Sequence, residues 1–328
     1  MPNKDRLTAF VIVCWNNQPL LDECLKSISE QTATNHITIL VDNGSADNSP
    51  LYVKQHFPWV RIIEAGENLG FAKGNNLAIN QALKDEAVQS VVLLNTDARL
   101  APTWLEIIQD FLANKPKAAC LQGTTLDYYN HEVIDSTHVY ISQNGQGTQG
   151  NWRKIYEADF GPKKVFGVNA AACLITRSFI EAQPFKNELF DESFFMYLED
   201  VDICARATVM GWDNYTVAKA RAYHMGSVSS GKNPGFSLYM TFRNNAALLY
   251  KNLPLRTIIK ITPRLVKGDI EVVKTLYRTD RKSAIKKVIK GRLLGLARLP
   301  LYMAKRRKIK QHLGASADYV EHLMTRGY

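Results

Sequence analysis

Short apolar segments alternate with amphipathic ones between residues 7 and 123, and this alternation constrains the fold more than any other feature. The strand-like segments are apolar for most of their length and lie at 7–14, 36–42, 60–64, 90–95 and 119–123. The helix-like segments lie at 19–31, 48–57, 75–85 and 102–114. Strands that are apolar on both faces need helices to cover both faces. The pattern therefore predicts a doubly wound α/β fold with a mostly parallel sheet.

The composition excludes several other classes of protein. The chain has 328 residues, of which 46% are hydrophobic and 22% charged. This supports a core of ordinary size and excludes a collagen, a coiled coil or a disordered chain. Apolar runs such as the one at 7–15 are much shorter than the roughly 18 residues of a membrane span. The sequence also enters a strand pattern almost at once, so we expect neither a membrane span nor a secretory leader.

The cysteines indicate a reducing compartment. They are odd in number and widely spaced, and they include no Cys-x-x-Cys pair. Their positions are Cys14, Cys24, Cys120, Cys173 and Cys204. Most lie in apolar stretches, which is typical of small core residues.

The pattern changes in the middle of the chain. Residues 127–163 mix polar and aromatic side chains, and we expect a hairpin or a mobile loop over the rim of the sheet. The packed pattern returns at 165 and continues to about Tyr250, and we place a domain of residues 1–250 there.

The remaining residues, 251–328, are strongly basic. They carry 20 Lys and Arg against 5 Asp and Glu, whereas residues 1–250 carry 21 against 26. Such an extension favours an anionic partner, either a membrane surface, a nucleic acid or an acidic protein.

Residues 283–309 predict a basic amphipathic helix that Pro300 ends or kinks. The apolar positions on one arc are Ile285, Val288, Ile289, Leu293, Leu296 and Leu299. The basic positions opposite are Lys286, Lys287, Lys290 and Arg298. The segment suits a helix at a lipid interface, and equally a solvated helix docked on the body.

Two carboxylates follow strand-like segments. Asp42 ends the segment at 36–42, and Asp97 follows the one at 90–95. Ligands of open α/β sheets bind at these strand ends. Asp42 could accept hydrogen bonds from a base or a ribose, and Asp97 could hold a hard cation on phosphate oxygens. Taken singly, each could instead be a turn residue or a structural one.

The glycine-containing turn NLGFAKGNN (68–76) argues against two nucleotide-binding classes. It is neither the Gly-x-Gly-x-x-Gly of dehydrogenases nor a P-loop. Lys73 and the backbone beside it could still approach a phosphate group.

The most unusual stretch is FDESFFMYLEDVDICARATVMGW (190–212), in which three carboxylates lie among aromatic residues. Glu199, Asp200 and Asp202 could stabilise a helix N-terminus. Desolvation and mutual repulsion could instead raise the pKa of one carboxyl group and suit it to general base catalysis. His224 is followed by a Gly/Ser segment and could be structural or functional.

Seven stretches in this order resemble the family-2 glycosyltransferases of GT-A fold, especially the bacterial rhamnosyltransferase-like branch. They are VIVCWNN (11–17), VDNGSADNS (41–49), NLGFAKGNN (68–76), LLNTD (93–97), FGVNAAACLITR (166–177), FFMYLEDVDICAR (194–206) and YHMGS (223–227). The resemblance covers roughly residues 7–250, and it implies a nucleotide-binding GT-A domain followed by a helical extension.

The resemblance also implies roles for individual residues. Asp200 would be the catalytic base, Asp97 would bind Mg²⁺ or Mn²⁺ on the sugar diphosphate, and His224 would be a second metal ligand. Asn95 stands where the family's Asp-x-Asp motif has its first acid, so fewer charges hold the metal. The residues that would bind the donor are Val13, Trp15, Asp42, Asn68, Lys73, Asn76, Asn95, Thr96 and Glu199.

The activity that the resemblance implies is inverting sugar transfer from a nucleotide-sugar. Its favoured donor is dTDP-L-rhamnose, with a UDP-hexose as the alternative. The acceptor would be a polyprenyl-diphosphate-linked saccharide in lipopolysaccharide, capsule or cell-wall synthesis. The basic extension would hold the enzyme on the anionic inner face of the plasma membrane, with the active site in the cytoplasm.

Three other classes remain as rivals. A non-catalytic nucleotide-binding module would be expected to lack Asp97 or Asp200, and both are present. The basic extension could bind nucleic acid nonspecifically, but the acidic body and lack of a recognition motif argue against a specific nucleic-acid partner. A nucleotidyltransferase would be expected to have a glycine-rich basic signature near the N-terminus, which residues 7–20 lack.

Overall fold

A computed structural model describes residues 7–157, 160–226 and 234–324 of the chain. The Gly/Ser segment that follows His224 falls largely in residues 227–233, which lie outside the described residues. All five cysteines lie within them and are buried and free, as expected of core residues.

A parallel sheet of four strands forms the first half of the fold. Its strands are β1 (Leu7–Cys14), β2 (His36–Asp42), β3 (Arg61–Glu64) and β4 (Val88–Leu94). They lie in the order β4-β1-β2-β3, all parallel, with Cys14 opposite Asp42. The helices that join them are α1 (Leu21–Ser29), α2 (Ser49–His56) and α3 (Gly70–Ala82). All four strands therefore end at the same edge of the sheet.

The second half extends the same sheet. Its strands are β5 (Ala98–Leu100), β6 (Ala118–Asp127), β7 (Ile134–Ser136), β10 (Lys163–Val165), β11 (Ala172–Thr176) and β12 (Asp213–His224). Strand β11 lies antiparallel between β4 and β6, and β12 is parallel to β6. Six of the ten strands in this sheet run in the same direction. The predicted α/β class and the mostly parallel sheet are confirmed.

Helices cover both faces of the sheet, as the apolar strands require. The remaining helices of the body are α4 (Trp104–Leu112), α5 (Arg177–Glu181) and α6 (Glu199–Val209). In β1, Phe10 and Ile12 pack in one core with α1 and α4, whereas Ala9 and Val11 pack in the opposite core with α3 and α6. The period of two along a strand explains why both faces of β1 are apolar.

Residues 127–163 form more structure than a mobile loop. Strands β8 (Val139–Ile141) and β9 (Gly147–Gln149) pair as an antiparallel hairpin. Val139 and Ile141 are buried and pack on α6 residues. Of the two alternatives expected here, the hairpin is the correct one.

In the described part of the chain, five helices follow the sheet, and they pack against the body. They are α7 (Pro234–Asn252), α8 (Leu255–Arg278), α9 (Lys282–Ala297), α10 (Leu299–Lys310) and α11 (Ala317–Met324). Pro300 lies in the first turn of α10, so it separates α9 from α10 as predicted. Gly291 and Gly295 of α9 lie against the backbone oxygens of Tyr239 and Arg243 in α7. Among the described helices, none combines the length and apolarity that crossing a bilayer requires.

Candidate active site

The loops after β1 and β2 are joined at the carboxyl edge of the sheet. Asn16 accepts hydrogen bonds from the backbone nitrogens of Ala46 (2.7 Å) and Asp47 (3.3 Å), and its own nitrogen donates to the Ser45 hydroxyl at 3.1 Å. Beside them, Asp42 is buried and accepts from the Ser45 nitrogen at 3.2 Å. The neighbouring Trp15 is 45% exposed, so nearly half of its surface is open to solvent.

The glycine turn at the start of α3 is held next to Asp42. The Asn43 side chain accepts from the Leu69 nitrogen at 2.9 Å and donates to the Asn68 oxygen at 3.1 Å. Asn68 in turn accepts from the nitrogen of Gly70 at 2.9 Å. Val13 lies close by, because a Cβ added at Gly74 would be 3.0 Å from its side chain.

Two of the residues expected to bind the donor differ in exposure. Lys73 is exposed on α3. Asn76 is buried, donates to the Phe190 oxygen at 2.8 Å and accepts from the Phe190 nitrogen at 2.9 Å. The structure thus places Asn76 in the attachment of α3 to the segment before α6 rather than at the open edge.

The end of β4 carries the next group of predicted residues. The Asn95 nitrogen donates to the Ala171 oxygen at 2.9 Å, just before β11. The Thr96 hydroxyl accepts from the Asn17 side chain at 3.0 Å. Asp97 follows and is largely buried. The loop of β1 and the end of β4 are therefore in direct contact.

His224 lies between two carboxylates. It is opposite Ala98 in the pairing of β12 with β5, which brings its Nε2 to 3.4 Å from Asp97 Oδ1. Its Nδ1 lies 3.0 Å from Asp135 Oδ2, on β7. Burial would lower the pKa of His224, but the hydrogen bonds and charges of both carboxylates outweigh it and raise the pKa to about 10. The imidazole is therefore protonated at neutral pH in this arrangement.

Asp97 and His224 would supply one carboxylate oxygen and one imidazole nitrogen to a cation bound between them. No group of three or more His, Cys, Asp or Glu side chains in the described part of the chain is arranged to hold a metal. The residues present fit a divalent cation that takes its other ligands from a diphosphate and water. Binding through His224 would displace its proton.

The acidic pair at the start of α6 is the other half of the site. Asp200 is half-buried and accepts from the backbone nitrogens of Ala170 (3.3 Å) and Val201 (2.7 Å). Burial raises the pKa of the Asp200 carboxyl group, and these hydrogen bonds oppose that rise. Burial and the charge of Asp200 raise the pKa of Glu199 to about 8, and Glu199 Oε2 is buried without a partner.

Asp202, the third acid of the cluster, is structural. It is fully buried and lies 2.8 Å from Lys251 Nζ and 3.3 Å from Arg206. Asn252 donates to its other oxygen at 2.7 Å. Its charge is thus neutralised by partners on α6 and α7.

Short links bring Asp97 and Asp200 to the same edge of the sheet. Asp200 is bonded to the Ala170 nitrogen, and the adjacent Ala171 oxygen is bonded to Asn95, two residues before Asp97. The start of α6 and the end of β4 are therefore linked through the two residues just before β11.

The segment before α6 is strained. Phe195 (φ 63°, ψ −63°), Tyr197 (φ 72°) and Leu198 (φ 69°) all have positive φ angles. Each such residue costs about 1–3 kcal/mol and persists only where its surroundings enforce it. Phe195 packs on Gly70, where an added Cβ would lie 2.5 Å from its ring. The segment therefore connects the acidic pair with the glycine turn.

Sequence reasoning missed three residues around this site. Asp135 binds His224 from a hairpin region whose pattern is irregular. Arg243 and Asn244 on α7 donate hydrogen bonds to the strained segment before α6. In the sequence, Arg243 differs from its neighbours only as a charged residue in an otherwise packed helix. No feature of the sequence indicated Asp135 or Asn244.

Comparison with known proteins gives the family. Residues 9–182, more than half of the chain, match the glycosyl transferase family 2. The chain is 26% identical over 306 residues to an N-acetylglucosaminyl-diphospho-decaprenol L-rhamnosyltransferase of Mycobacterium tuberculosis (strain CDC 1551 / Oshkosh), covering 86% of this chain and 97% of that protein.

Two solved structures share the fold. One is GalNAc-T7 with UDP, GalNAc and Mn²⁺ (TM-score 0.57, 14% identity, 75% of this chain), of which the chain spans about half (48%). The other is the mannosyltransferase PcManGT of Pyrobaculum calidifontis with GDP-Man and Mn²⁺ (TM-score 0.53, 15% identity, 93% of this chain and 85% of that one).

The sheet and the helices that cover it have the GT-A fold of these glycosyltransferases. The chain belongs to the glycosyl transferase family 2.

Proposed function

We propose that this enzyme transfers L-rhamnose from dTDP-L-rhamnose to a polyprenyl-diphosphate-linked saccharide, with inversion at the anomeric carbon. The proposal is supported by the contact of His224 with Asp97 and by the hydrogen bonds that link Asp200 to Ala170 and the adjacent Ala171 to Asn95. The choice of sugar and acceptor is supported by the mycobacterial relative, whose name specifies a rhamnosyl donor and a lipid-linked acceptor and which aligns over most of both chains.

The donor would lie across the ends of β1, β2 and β4. Asp42 and the Val13–Trp15 backbone would hold the base, and Asn68 and Lys73 would border the phosphates. Asp97, His224, Asn95 and Thr96 would hold the diphosphate with Mg²⁺ or Mn²⁺. When bound, the cation neutralises charge that develops on the leaving diphosphate.

Asp200 would take the proton of the acceptor hydroxyl as that oxygen attacks. A general base works best when its pKa is near the working pH, and burial shifts Asp200 in that direction. Burial and the charge of Asp200 raise the pKa of Glu199 to about 8, so its protonated form could donate a hydrogen bond to the donor sugar. Direct displacement of the diphosphate by the acceptor oxygen inverts the anomeric centre.

A donor panel tests this proposal. Purified protein is incubated with dTDP-rhamnose, UDP-glucose, UDP-galactose and UDP-N-acetylglucosamine, with a synthetic lipid-linked N-acetylglucosamine acceptor, and with Mn²⁺, Mg²⁺ or EDTA. We expect transfer from dTDP-rhamnose with either cation and none in EDTA. Transfer from a UDP-hexose alone would replace the proposed donor by the alternative one, and full activity in EDTA would overturn the metal site.

We also propose that α9 holds the enzyme on the anionic inner face of the plasma membrane. Ile289 (49% exposed) and Leu293 (63% exposed) lie beside Lys286 and Lys290 in one shallow depression. Val288 of the same helix is buried against α7 and α8. The helix is thus docked on the protein and still presents apolar and basic side chains together, a combination that suits anionic lipid.

A further inference from the structure

We propose that Arg243 and Asn244 of α7 are positioning residues that hold the segment 193–198 in the conformation that presents Asp200. The inference rests on the proposed function, because it takes Asp200 as the base. Neither residue belongs to the segments that indicated the active site, and both lie on a helix behind it.

The Asn244 side chain lies within hydrogen-bond distance of three carbonyl groups of the segment. Its Nδ2 lies 3.0 Å from the Phe194 oxygen, 2.9 Å from that of Met196 and 2.8 Å from that of Tyr197. An extended or helical backbone does not direct three such oxygens towards one donor. The amide therefore fits only the observed turn.

Arg243 strengthens the same contact. Its guanidinium donates to the oxygens of Ser193 (2.8 Å) and Phe194 (2.7 Å), and its Nε donates to the Asn244 oxygen at 2.9 Å. The bond from Nε fixes which end of the Asn244 amide faces the segment. The pair thus acts as one preoriented group of donors.

The conformation that these donors hold is intrinsically unfavourable. Phe195 is the centre of a three-residue turn, in which the Met196 nitrogen donates to the Phe194 oxygen at 2.7 Å. Its angles (φ 63°, ψ −63°) are those of the rare form of this turn. A segment with positive φ at Phe195, Tyr197 and Leu198 persists only when neighbouring groups enforce it.

The segment also connects the two halves of the site. The Phe195 oxygen accepts from the Ala72 nitrogen at 3.1 Å, and its ring covers Gly70 at the glycine turn. Two residues after Leu198 comes Asp200. Loosening the segment would therefore shift Asp200 relative to the donor side without removing any group that touches a substrate.

Asn244→Asp is the sharpest test, because it keeps the size and the oxygen that Arg243 binds but replaces the NH₂ donor with an acceptor. Asn245→Asp is the matched control. Asn245 is a buried neighbour on the same helix that donates to the Gly145 oxygen at 2.6 Å, away from the segment. Asn244→Ala is a second variant that removes the donors without adding charge.

We expect kcat for sugar transfer to fall at least tenfold in both Asn244 variants, with the Kd for the nucleotide-sugar within threefold of wild type. In Asn244→Ala, which adds no charge, the acidic limb of the kcat–pH profile should move to lower pH, since a loosened segment admits water to Asp200. Hydrogen exchange in residues 193–200 and 70–72 should accelerate. Asn245→Asp should leave exchange there and the pH profile unchanged.

The outcomes separate this inference from the proposed function. If the wild type transfers sugar and the Asn244 variants retain its kcat and pH profile, or lose no more than Asn245→Asp does, the positioning role is wrong. If the wild type transfers no sugar from any donor, the proposed function fails. Hydrogen exchange then decides alone whether Asn244 holds the segment, and unchanged exchange would overturn the inference.

Discussion

Two neighbouring carboxyl groups at the start of α6 have different surroundings, and this separates their roles. Glu199 has a buried oxygen without a partner, and its pKa is raised to about 8 by burial and by the charge of Asp200. Asp200 accepts two backbone hydrogen bonds, which favour its ionised form. A negative charge on the pair is therefore better accommodated on Asp200 than on Glu199.

Asp200→Asn should abolish the base and leave the donor site intact. We expect kcat to fall by about 10²–10⁴-fold, the usual contribution of a general base, with an unchanged Kd for the nucleotide-sugar by calorimetry. Glu199→Gln is the control, because glutamine imitates the protonated acid that predominates at pH 7. Equal losses in the two variants, or near-wild-type turnover of Asp200→Asn, would contradict the assignment.

At the scale of elements, the glycine turn and the strained segment are built as a matching pair. Gly70 has φ +75°, and an added Cβ would lie 2.5 Å from the Phe195 ring and 2.6 Å from its backbone oxygen. Only glycine satisfies both the backbone angle and the close approach. The site's two sides are therefore fitted to each other through backbone geometry as well as through functional side chains.

Gly70→Ala should destabilise the protein and slow transfer. We expect about 2–4 kcal/mol lower free energy of unfolding, from the unfavourable φ angle and the overpacking against Phe195. Gly66→Ala is matched to it, since Gly66 has the same φ of +75° and no neighbour within 4 Å of an added Cβ. That variant should lose about 1–2 kcal/mol. Urea unfolding measures both, and equal losses would show that the packing on Phe195 contributes nothing.

The sequence predicted regular elements well and irregular contacts poorly. The bounds of β1 and β2 agree with prediction because their apolar runs are continuous and end at turn residues. Helix α3 begins at Gly70 rather than at Asn75. The glycines at 70 and 74 weaken the helical pattern in the sequence, whereas tertiary contacts stabilise the helix in the fold. The contacts of Asp135 and Asn244 depend on partners 89 and up to 50 residues away, which no local pattern encodes.

At the scale of the whole molecule, buried charges join the C-terminal helices to the body. Lys251 of α7 is fully buried and lies 2.7 Å from Asp191 and 2.8 Å from Asp202. Lys305 of α10 lies 2.6 Å from Asp191. Both aspartates flank the strained segment and the acidic pair. The predicted boundary between residues 250 and 251 falls beside this cluster, so the extension helps to fix the segment before α6.

Lys251→Met should therefore destabilise the whole fold. Removing one partner of a buried ion cluster typically costs about 3–5 kcal/mol, because the other charges stay buried. Lys260→Met removes an exposed lysine 3.3 Å from Glu321 and should cost under about 1 kcal/mol. Urea unfolding at pH 7 measures the difference, and a loss for Lys251→Met as small as that for Lys260→Met would contradict it.

The same cluster predicts how stability depends on pH. Burial would raise the pKa of Asp191, but the charges of Lys251 and Lys305 outweigh it and hold the pKa well below its usual range. A depressed carboxyl pKa stabilises the fold above the unfolded value of about 3.9, and that stability is lost as the pH falls further. Between pH 5 and pH 2, Lys251→Met should therefore lose less stability than the wild type. For one proton, the difference is about 1.4 kcal/mol for each unit by which the pKa of Asp191 changes.

The proposed role of α9 in binding anionic lipid makes one further prediction. Leu293 and Ile289 are exposed beside Lys286 and Lys290 on α9, and each lysine near an anionic surface adds about 1 kcal/mol. Leu293→Glu combined with Ile289→Glu replaces apolar contact by repulsion, so we expect binding to phosphatidylglycerol vesicles to weaken at least tenfold in flotation assays. Leu51→Glu, at a position 53% exposed on α2 of the body, is the control and should bind as wild type does. Equal flotation of all three proteins would place the membrane contact elsewhere, whereas loss in the double variant with unchanged turnover on a soluble acceptor would assign α9 to membrane docking alone.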